Sequence, residues 1–386
     1  MHICDKSECT GCSACKNICP KGCITMIPND TLRHVYPSIN DDICIQCGLC
    51  VKVCPANHTP HRFTSRISYA GWNKNVNEYK SCSSGGAATA ICRTILEKGG
   101  IVYGCAQFPG IEIKHIRVDS PDQLYLLKES KYAQSIIDDT YRNILTDLNS
   151  GKRVLFIGTP CQVAGLKNYI GKRDTNLYTI DLVCHGVPSQ GYLKQHVKSI
   201  VGSLNNVIIR FRENNAYVFS IKIKDDNGTK KTIYRNAIFE KRYQDGYLNS
   251  FFDGYSFRDS CYNCKFANIK RCSDLTLGDF WGIGKEIPFE HEHKYGCSLL
   301  LPNTDKGAYL IENIKDQFYL YERSVEEAIK GNSQLRHPVS INRRKKFFRK
   351  LTRFLSINIA YHISVADLPL RHRLFRLKTK LLNHVQ

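Results

Sequence analysis

The rhythm of apolar and polar positions changes twice along the chain. Over residues 1–60 apolar runs are short and broken by Cys, Pro and Gly, as expected of a region held by bound metal more than by a side-chain core. Residues 61–80 are polar and basic and read as a linker. From residue 81 helical and strand-like runs alternate. Residues 86–98 predict a helix opened by the small-residue run Ser83-Ser84-Gly85-Gly86, and residues 101–106 a buried strand. Residues 141–148 predict a helix, and 153–157 (RVLFI) a strand leading through Gly158-Thr159-Pro160 into another helix. Residues 177–183 predict a third strand, and a helix follows Pro188. Strand, turn and helix in that order predict an α/β domain with a largely parallel sheet.

Residues 207–212, 217–224 and 230–234 break this rhythm. They read as strands joined by tight turns, the last through Asp225-Asp226-Asn227-Gly228, and predict an antiparallel insertion. From residue 341 the chain reads as a helical tail, with Phe347, Phe348, Leu351, Phe354 and Leu355 at helical spacing. The domain plan is therefore 1–60, a linker at 61–80, a main domain at 81–340, and a tail at 341–386.

Composition adds two constraints. With 42% hydrophobic residues in 386, the chain can bury ordinary cores. The formal charge of +20 is concentrated: residues 341–386 hold twelve Lys and Arg against one acid, Asp367. Such a tail suits an anionic membrane surface, an acidic partner or simple solvation. No zinc finger or aromatic RNA-binding signature supports nucleic acid. The apolar stretch 354–366 contains His362 and falls short of the ~18 residues of a membrane span. The opening Met1-His2-Ile3-Cys4-Asp5 has no apolar run behind it, so no secretory signal is expected. Nineteen cysteines, an odd count, argue against a disulfide scaffold and for the reducing cytoplasm.

The cysteines carry the chemistry. Cys9, Cys12, Cys15 and Cys19-Pro20 have the spacing C-x2-C-x2-C-x3-C-P, which Cys44, Cys47, Cys50 and Cys54-Pro55 repeat. Each triplet can wrap one 4Fe–4S cluster, while its fourth cysteine reaches the other. The expected ligand sets are Cys9, Cys12, Cys15 and Cys54, and Cys44, Cys47, Cys50 and Cys19. Cys4 and Cys23 read as spare thiols. These features predict an α+β ferredoxin-like amino-terminal domain with two clusters.

A second group lies downstream, where Cys261, Cys264 and Cys272 precede Leu277-Gly278-Asp279-Phe280-Trp281-Gly282. Three thiols in twelve residues suit zinc or, in a chain already carrying cubane motifs, a third 4Fe–4S cluster. Cys161 and Cys184 each sit just past a strand end, where open α/β sheets gather ligands, and are candidates for the fourth position. For either one the alternative is a buried, inert thiol.

Five separated motifs in order carry a family resemblance: SSGGAATA at 83–90, SKYAQS at 130–135, GTPCQVAGLK at 158–167, DLVCHGVPS at 181–189, and the C-x2-C-x7-C run into LGDFWG. Together they resemble the beta subunit of coenzyme F420-reducing hydrogenase and dehydrogenase over residues 1–340. The resemblance implies FAD, at least one 4Fe–4S cluster, and an α/β flavin-binding domain passing electrons to a two-electron acceptor. In archaeal members that acceptor is a deazaflavin. Relatives without deazaflavin chemistry reduce other substrates.

The residues themselves suit a flavin site. Ser83, Ser84, Gly85 and Gly86 offer free N–H groups at a helix start, which suits a pyrophosphate, although a plain helix cap fits as well. Lys128 and Lys131 are candidates for neutralising phosphate charge, with Ser130 and Thr159 beside them in the motifs. Phe280 and Trp281, next to Asp279, are candidates for packing on the isoalloxazine, or else are core. His185 is the candidate proton donor near the flavin, with a structural histidine as the alternative. His291 and His293 have poor spacing for a metal and are set aside. The expected function is an iron–sulfur flavoprotein oxidoreductase. It would take electrons from ferredoxin or a hydrogenase or dehydrogenase subunit and deliver them to a small-molecule acceptor. The alternative is a non-catalytic electron-transfer subunit whose basic tail docks a partner oxidoreductase; a third possibility is peripheral attachment to an anionic membrane through the basic face of residues 343–353.

Overall fold

A computed structural model describes residues 2–212, 216–224, 230–236 and 245–366. In the cysteine-rich region the first triplet runs into helix α1 (Ala14–Ile18). The hairpin of β1 (Ile24–Pro28) and β2 (Val35–Ile39) separates it from α2 (Leu49–Lys52) of the second repeat. The two repeats turn alike: Ser13 and Gly48, each following the second cysteine of its triplet, both take left-handed backbone at a helix start.

The stretch read as a linker is structured. It holds β3 (Phe63–Thr64), β4 (Ser68–Asn73) and α3 (Val76–Lys80), and β4 is an interior strand of the main sheet. Helix α4 (Ala87–Glu97) leads into β5 (Ile101–Phe108) and β6 (Glu112–Val118). Then come α5 (Thr140–Asn149), β7 (Val154–Gly158), α6 (Pro160–Ile170), β8 (Leu177–Leu182) and α7 (Gln190–Val201). The insertion is a three-stranded antiparallel sheet of β9 (Val207–Arg210), β10 (Val218–Lys224) and β11 (Lys230–Asn236). The turn expected at 225–228 lies outside the described residues. After α8 (Gly246–Phe252), β12 (Lys270–Arg271) pairs with β3. The main sheet is completed by β13 (Leu275–Asp279), β14 (Ser298–Pro302) and β15 (Phe318–Arg323), with α9 (Asp305–Glu312) and α10 (Val325–Gly331) between and after.

The eight strands run in the order β15-β4-β14-β13-β8-β7-β5-β6. Only β13, β8, β7 and β5 are mutually parallel; the pairs outside them are antiparallel. The expectation of a largely parallel sheet is thus corrected to a mixed one, because β6 follows β5 and β14 follows β13 without a crossover helix, and β4 runs antiparallel between β14 and β15.

Alternation along the strands builds two cores. Val102, Leu155 and Ile180 face α4 and α9, whereas Ile101, Tyr103, Val154 and Phe156 face α5 and α6. Cys12, Ala14 and Val53 join the second core, so the cysteine-rich domain is seated on α6 rather than tethered at a distance. A third core joins the insertion, α7 and α8 to α11 (Arg343–Leu351) and α12 (Ile357–Val365) through Phe219, Tyr247, Phe348 and Ile357. The described part of the tail is therefore two packed helices. Several of its charges are used internally: Lys345 and Arg349 both bond Asp259, at 3.2 and 2.8 Å. Among the described residues no helix is long and apolar enough to cross a membrane.

Candidate functional site

The eight motif cysteines gather around two small cavities. One is lined by Cys9, Cys12, Cys15 and Cys54, the other by Cys19, Cys44, Cys47 and Cys50. The crossing arises because α1 carries the chain from Cys15, at the first cavity, to Cys19, at the second. The two extra thiols are not remote: Cys4 lines the first cavity and Cys23 the second, with Cys23 Sγ 3.3 Å from Cys19 Sγ.

Four more thiols converge on a cavity of about 300 Å³ between the cysteine-rich domain and the sheet: Cys161, Cys184, Cys261 and Cys264. Cys161 enters on the first turn of α6, Cys184 just beyond β8, and the other two from the loop after α8. Burial pushes the Cys161 thiol up to about 11, Cys261 up to about 12, and Cys184 well above the ordinary range. Thiols so disposed ionise only with a bound cation to compensate them. Among the described residues no three Cys, His, Asp or Glu side chains stand close enough to hold a single metal ion. A set of four thiols spread around a cavity suits a polynuclear iron–sulfur group better than zinc. Cys272, expected in this set, does not line the cavity; it packs beside Cys161 and Cys264 with its sulfur toward the Pro60 carbonyl at 3.9 Å.

His185 lies in this thiol cavity, away from the sheet-edge trough described next. Gln334 Nε2 donates to its Nδ1 at 2.8 Å, leaving Nε2–H to donate to the Phe252 carbonyl at 3.1 Å. Burial lowers its pKa, so it is a neutral, fully bonded ring. That arrangement fits the structural alternative.

The third feature is a trough of about 360 Å³ along the edge formed by the carboxyl ends of β13, β8 and β7. It reaches Ser298 on β14 at one end and His115 on β6 at the other. Six neighbouring strands spaced ~4.8 Å give a span of about 24 Å. Its volume lies within the ~300–1,000 Å³ of organic-ligand sites. Ser83, Ser84, Gly86, Lys128, Ser130, Lys131, Thr159 and Asp279 all line it. Gly86 takes φ 87° at the start of α4, and the Ser83 hydroxyl accepts from the Ser130 N–H at 2.9 Å. Two buried polar atoms on its wall, Ser84 Oγ and His115 Nδ1, have no partner among the described residues. Unpaired buried groups of that kind fit a polar ligand that completes them.

Three expected residues do not reach the trough. A Cβ on Gly85 would lie 2.1 Å from the Gly71 carbonyl, so this glycine serves close packing of the loop on the sheet. Phe280 is buried in the core around Trp72, and Trp281 is exposed, stacked on Tyr217 at 6.2 Å. Lys128 does line it but is already neutralised by Glu78 at 2.7 Å. Arg212, which stands in no sequence motif, binds Asp279 at 2.5 Å, Tyr132 and Tyr217 hydroxyls at 2.7 Å each, and the Ser83 carbonyl. It ties the insertion to the trough's rim.

The cavities share walls. Thr10 lines both the Cys9 cavity and the four-thiol cavity, and Thr159 lines both the four-thiol cavity and the trough. Arg258, completely buried, lies between the first two: it bonds Gln134 Oε1 at 2.9 Å, the Val35 carbonyl at 2.6 Å and the Cys9 carbonyl at 3.4 Å.

Comparison with known proteins gives two family matches. Residues 151–328 match the family described as the C terminus of the coenzyme F420 hydrogenase/dehydrogenase beta subunit, and residues 8–58 match a 4Fe-4S dicluster domain. The chain is 27% identical over 198 residues to a coenzyme F420-dependent sulfite reductase of Methanocaldococcus jannaschii, covering 46% of this chain and 28% of that protein. It is 45% identical over 86 residues to a polyferredoxin protein of Methanothermus fervidus, covering 14% and 21%. It thus spans less than a third of the length of either relative. A chain of the F420-reducing [NiFe] hydrogenase complex from Methanosarcina barkeri aligns over 76% of this chain and 89% of its own, at 16% identity and TM-score 0.46. The dicluster domain is thus seated on a sheet that carries, at residues 151–328, a segment similar to the C terminus of the coenzyme F420 hydrogenase/dehydrogenase beta subunit, and the chain bears a 4Fe–4S dicluster domain at residues 8–58.

Proposed function

We propose that this protein is an iron–sulfur flavoprotein oxidoreductase that carries electrons from a low-potential protein donor to a small-molecule two-electron acceptor. The donor class is a ferredoxin or a hydrogenase or dehydrogenase subunit. Cys19, Cys44, Cys47 and Cys50 hold one 4Fe–4S cluster, Cys9, Cys12, Cys15 and Cys54 a second, and Cys161, Cys184, Cys261 and Cys264 a third. FAD, bound in the trough, supplies exchange between one-electron and two-electron chemistry. Gly86, Ser84 and the free N–H groups opening α4 receive its phosphates. Thr159 forms the partition between the four-thiol cavity and the trough.

The observation that carries this reading is the series of cavities: two ringed by motif cysteines and bridged by α1, one by four more thiols, then the trough, with Thr10 and Thr159 as common walls of the last three. Anaerobic purification followed by iron, acid-labile sulfide and flavin analysis tests it. The expected result is about twelve irons and one FAD per chain. About eight irons without flavin overturns it and leaves an electron-transfer subunit.

One observation favours a docking role for the tail in addition. Phe347 and Phe354 are exposed beside Arg343, Lys346 and Lys350, an aromatic and basic face suited to an anionic membrane. Absence of pelleting with anionic vesicles at low salt removes that role.

A further inference from the structure

The trough's end at β5 and β6 is chemically distinct from its end at β14. His115 on β6 is 6% exposed and its ring stacks on Phe156 at 5.0 Å. Its Nε2–H donates to the Ile157 carbonyl at 2.9 Å, which fixes the neutral ring with Nδ1 as a bare acceptor. No group among the described residues satisfies that acceptor. An unsatisfied buried acceptor in a ligand-sized space calls for a ligand N–H or O–H.

Lys131 stands at the same end, close enough for its charge to act on both His115 and Cys105. Its ammonium is held by the carbonyls of Leu127, Lys128 and Glu129, at 3.3, 2.7 and 3.1 Å. Among the described residues no carboxylate pairs with it, and Glu129's own carboxylate is taken by Arg210 at 2.9 Å. Lys131 is therefore an anchored basic group beside a hydrogen-bond acceptor, with no carboxylate at ion-pair distance among those residues; burial lowers its pKa, and the charge of Glu129 partly offsets that. Phosphate-binding features cluster elsewhere, at Ser84, Gly86 and the start of α4.

We propose that His115 and Lys131 are the recognition pair for the pyrimidine ring of a bound flavin. His115 Nδ1 accepts its imide N–H, and Lys131 presents positive charge to the edge where the reduced ring carries negative charge. The inference rests on the flavin reading of the trough, and it assigns Lys131 to the ring rather than to a phosphate. Both residues are positioning groups, and neither exchanges a proton with substrate.

The test measures affinity of the cluster-loaded protein for FAD and for N3-methyl FAD, which lacks the imide proton. The wild-type protein is expected to bind FAD roughly tenfold or more tightly than the methylated form, the scale of one buried hydrogen bond. His115→Phe loses this discrimination, and His115→Asn, which keeps an acceptor, retains part of it. Equal affinity of wild-type protein for the two flavins overturns the His115 assignment while leaving the flavin reading intact. That comparison needs no variant to fold. Failure of wild-type protein to bind FAD at all overturns the flavin reading and this inference with it. For Lys131→Met, affinity for reduced FAD is expected to fall about tenfold more than for oxidised FAD, a shift of about 30 mV for a two-electron couple. An unchanged ratio overturns the role of Lys131.

Discussion

Replacing Arg258 by Met removes a fully buried positive charge from between two cysteine-lined cavities. Its guanidinium lies 3.4 Å from the Cys9 carbonyl and 4.5 Å from the centre of the Tyr36 ring, with no carboxylate paired to it among the described residues. A cation in that position is stabilised by whatever negative charge fills the neighbouring cavities, and it stabilises each electron added there. Doubling the contact with Cys9 gives a charge separation of about 7 Å; at an effective dielectric of about 20 the interaction is about 2.4 kcal/mol. For a one-electron couple that corresponds to about 100 mV. A redox titration followed by electron paramagnetic resonance should show one cluster signal in Arg258→Met displaced to lower potential by about that much. Arg258→Lys, which retains the charge, should move less. Full iron content in Arg258→Met with every midpoint within about 20 mV of wild type would refute the electrostatic reasoning. Loss of iron in both variants would instead mark Arg258 as a packing residue that joins Gln134, Val35 and Cys9.

Other outcomes follow from the same geometry. Cys184→Ser should lower iron content by about four per chain, whereas Cys272→Ser should leave it unchanged, since Cys272 stands outside the four-thiol cavity; iron and sulfide assays decide. Gly85→Ala forces a methyl into the Gly71 carbonyl, and the melting temperature should fall by roughly 3–5 °C, from an overpacking cost of about 2–3 kcal/mol. Burial, with Arg349 adjacent, lowers the Lys345 pKa to about 8, so the native state resists protonating it. The unfolded chain then holds more protons between about pH 8 and 10.5, and stability should rise with pH across that window. Lys345→Met should raise the melting temperature at pH 7.5 and flatten its rise toward pH 9.5.

Legibility followed the range of the interactions. The two cysteine triplets are local patterns, so their crossing could be inferred from spacing, and the same eight thiols line two cavities. The four-thiol cavity draws on residues 161, 184, 261 and 264; nearness in sequence grouped Cys272 with Cys261 and Cys264, and strand ends pointed to Cys161 or Cys184 for one further position, whereas both line the cavity. Lys128 looked like a free cation because its partner, Glu78, lies 50 residues back. Phe280 and Trp281 sit beside Asp279 in sequence, but β13 ends at Asp279 and the chain turns there, so Phe280 enters the core around Trp72 and Trp281 is left exposed. Arg212 and His115 belong to no motif, and only the folded sheet brings them to the trough. Strand β4, with sequence SYAGWN, is nearly all buried yet contains Ser, Gly and Asn, which disguised it as linker.

That strand also sets an order of events during synthesis. Its two neighbours in the sheet, β14 and β15, emerge about 230 and 250 residues later, a delay on the order of 10–50 s at ordinary ribosome speeds. Both cysteine repeats have left the ribosome long before then, so iron delivery can precede closure of the sheet, while the cysteine-rich surface that later seats on α6 is still accessible. A nascent chain stopped before residue 298 would hold its cysteines but present β4 with neither edge occupied. Premature termination should therefore yield an aggregation-prone fragment rather than a free miniature ferredoxin.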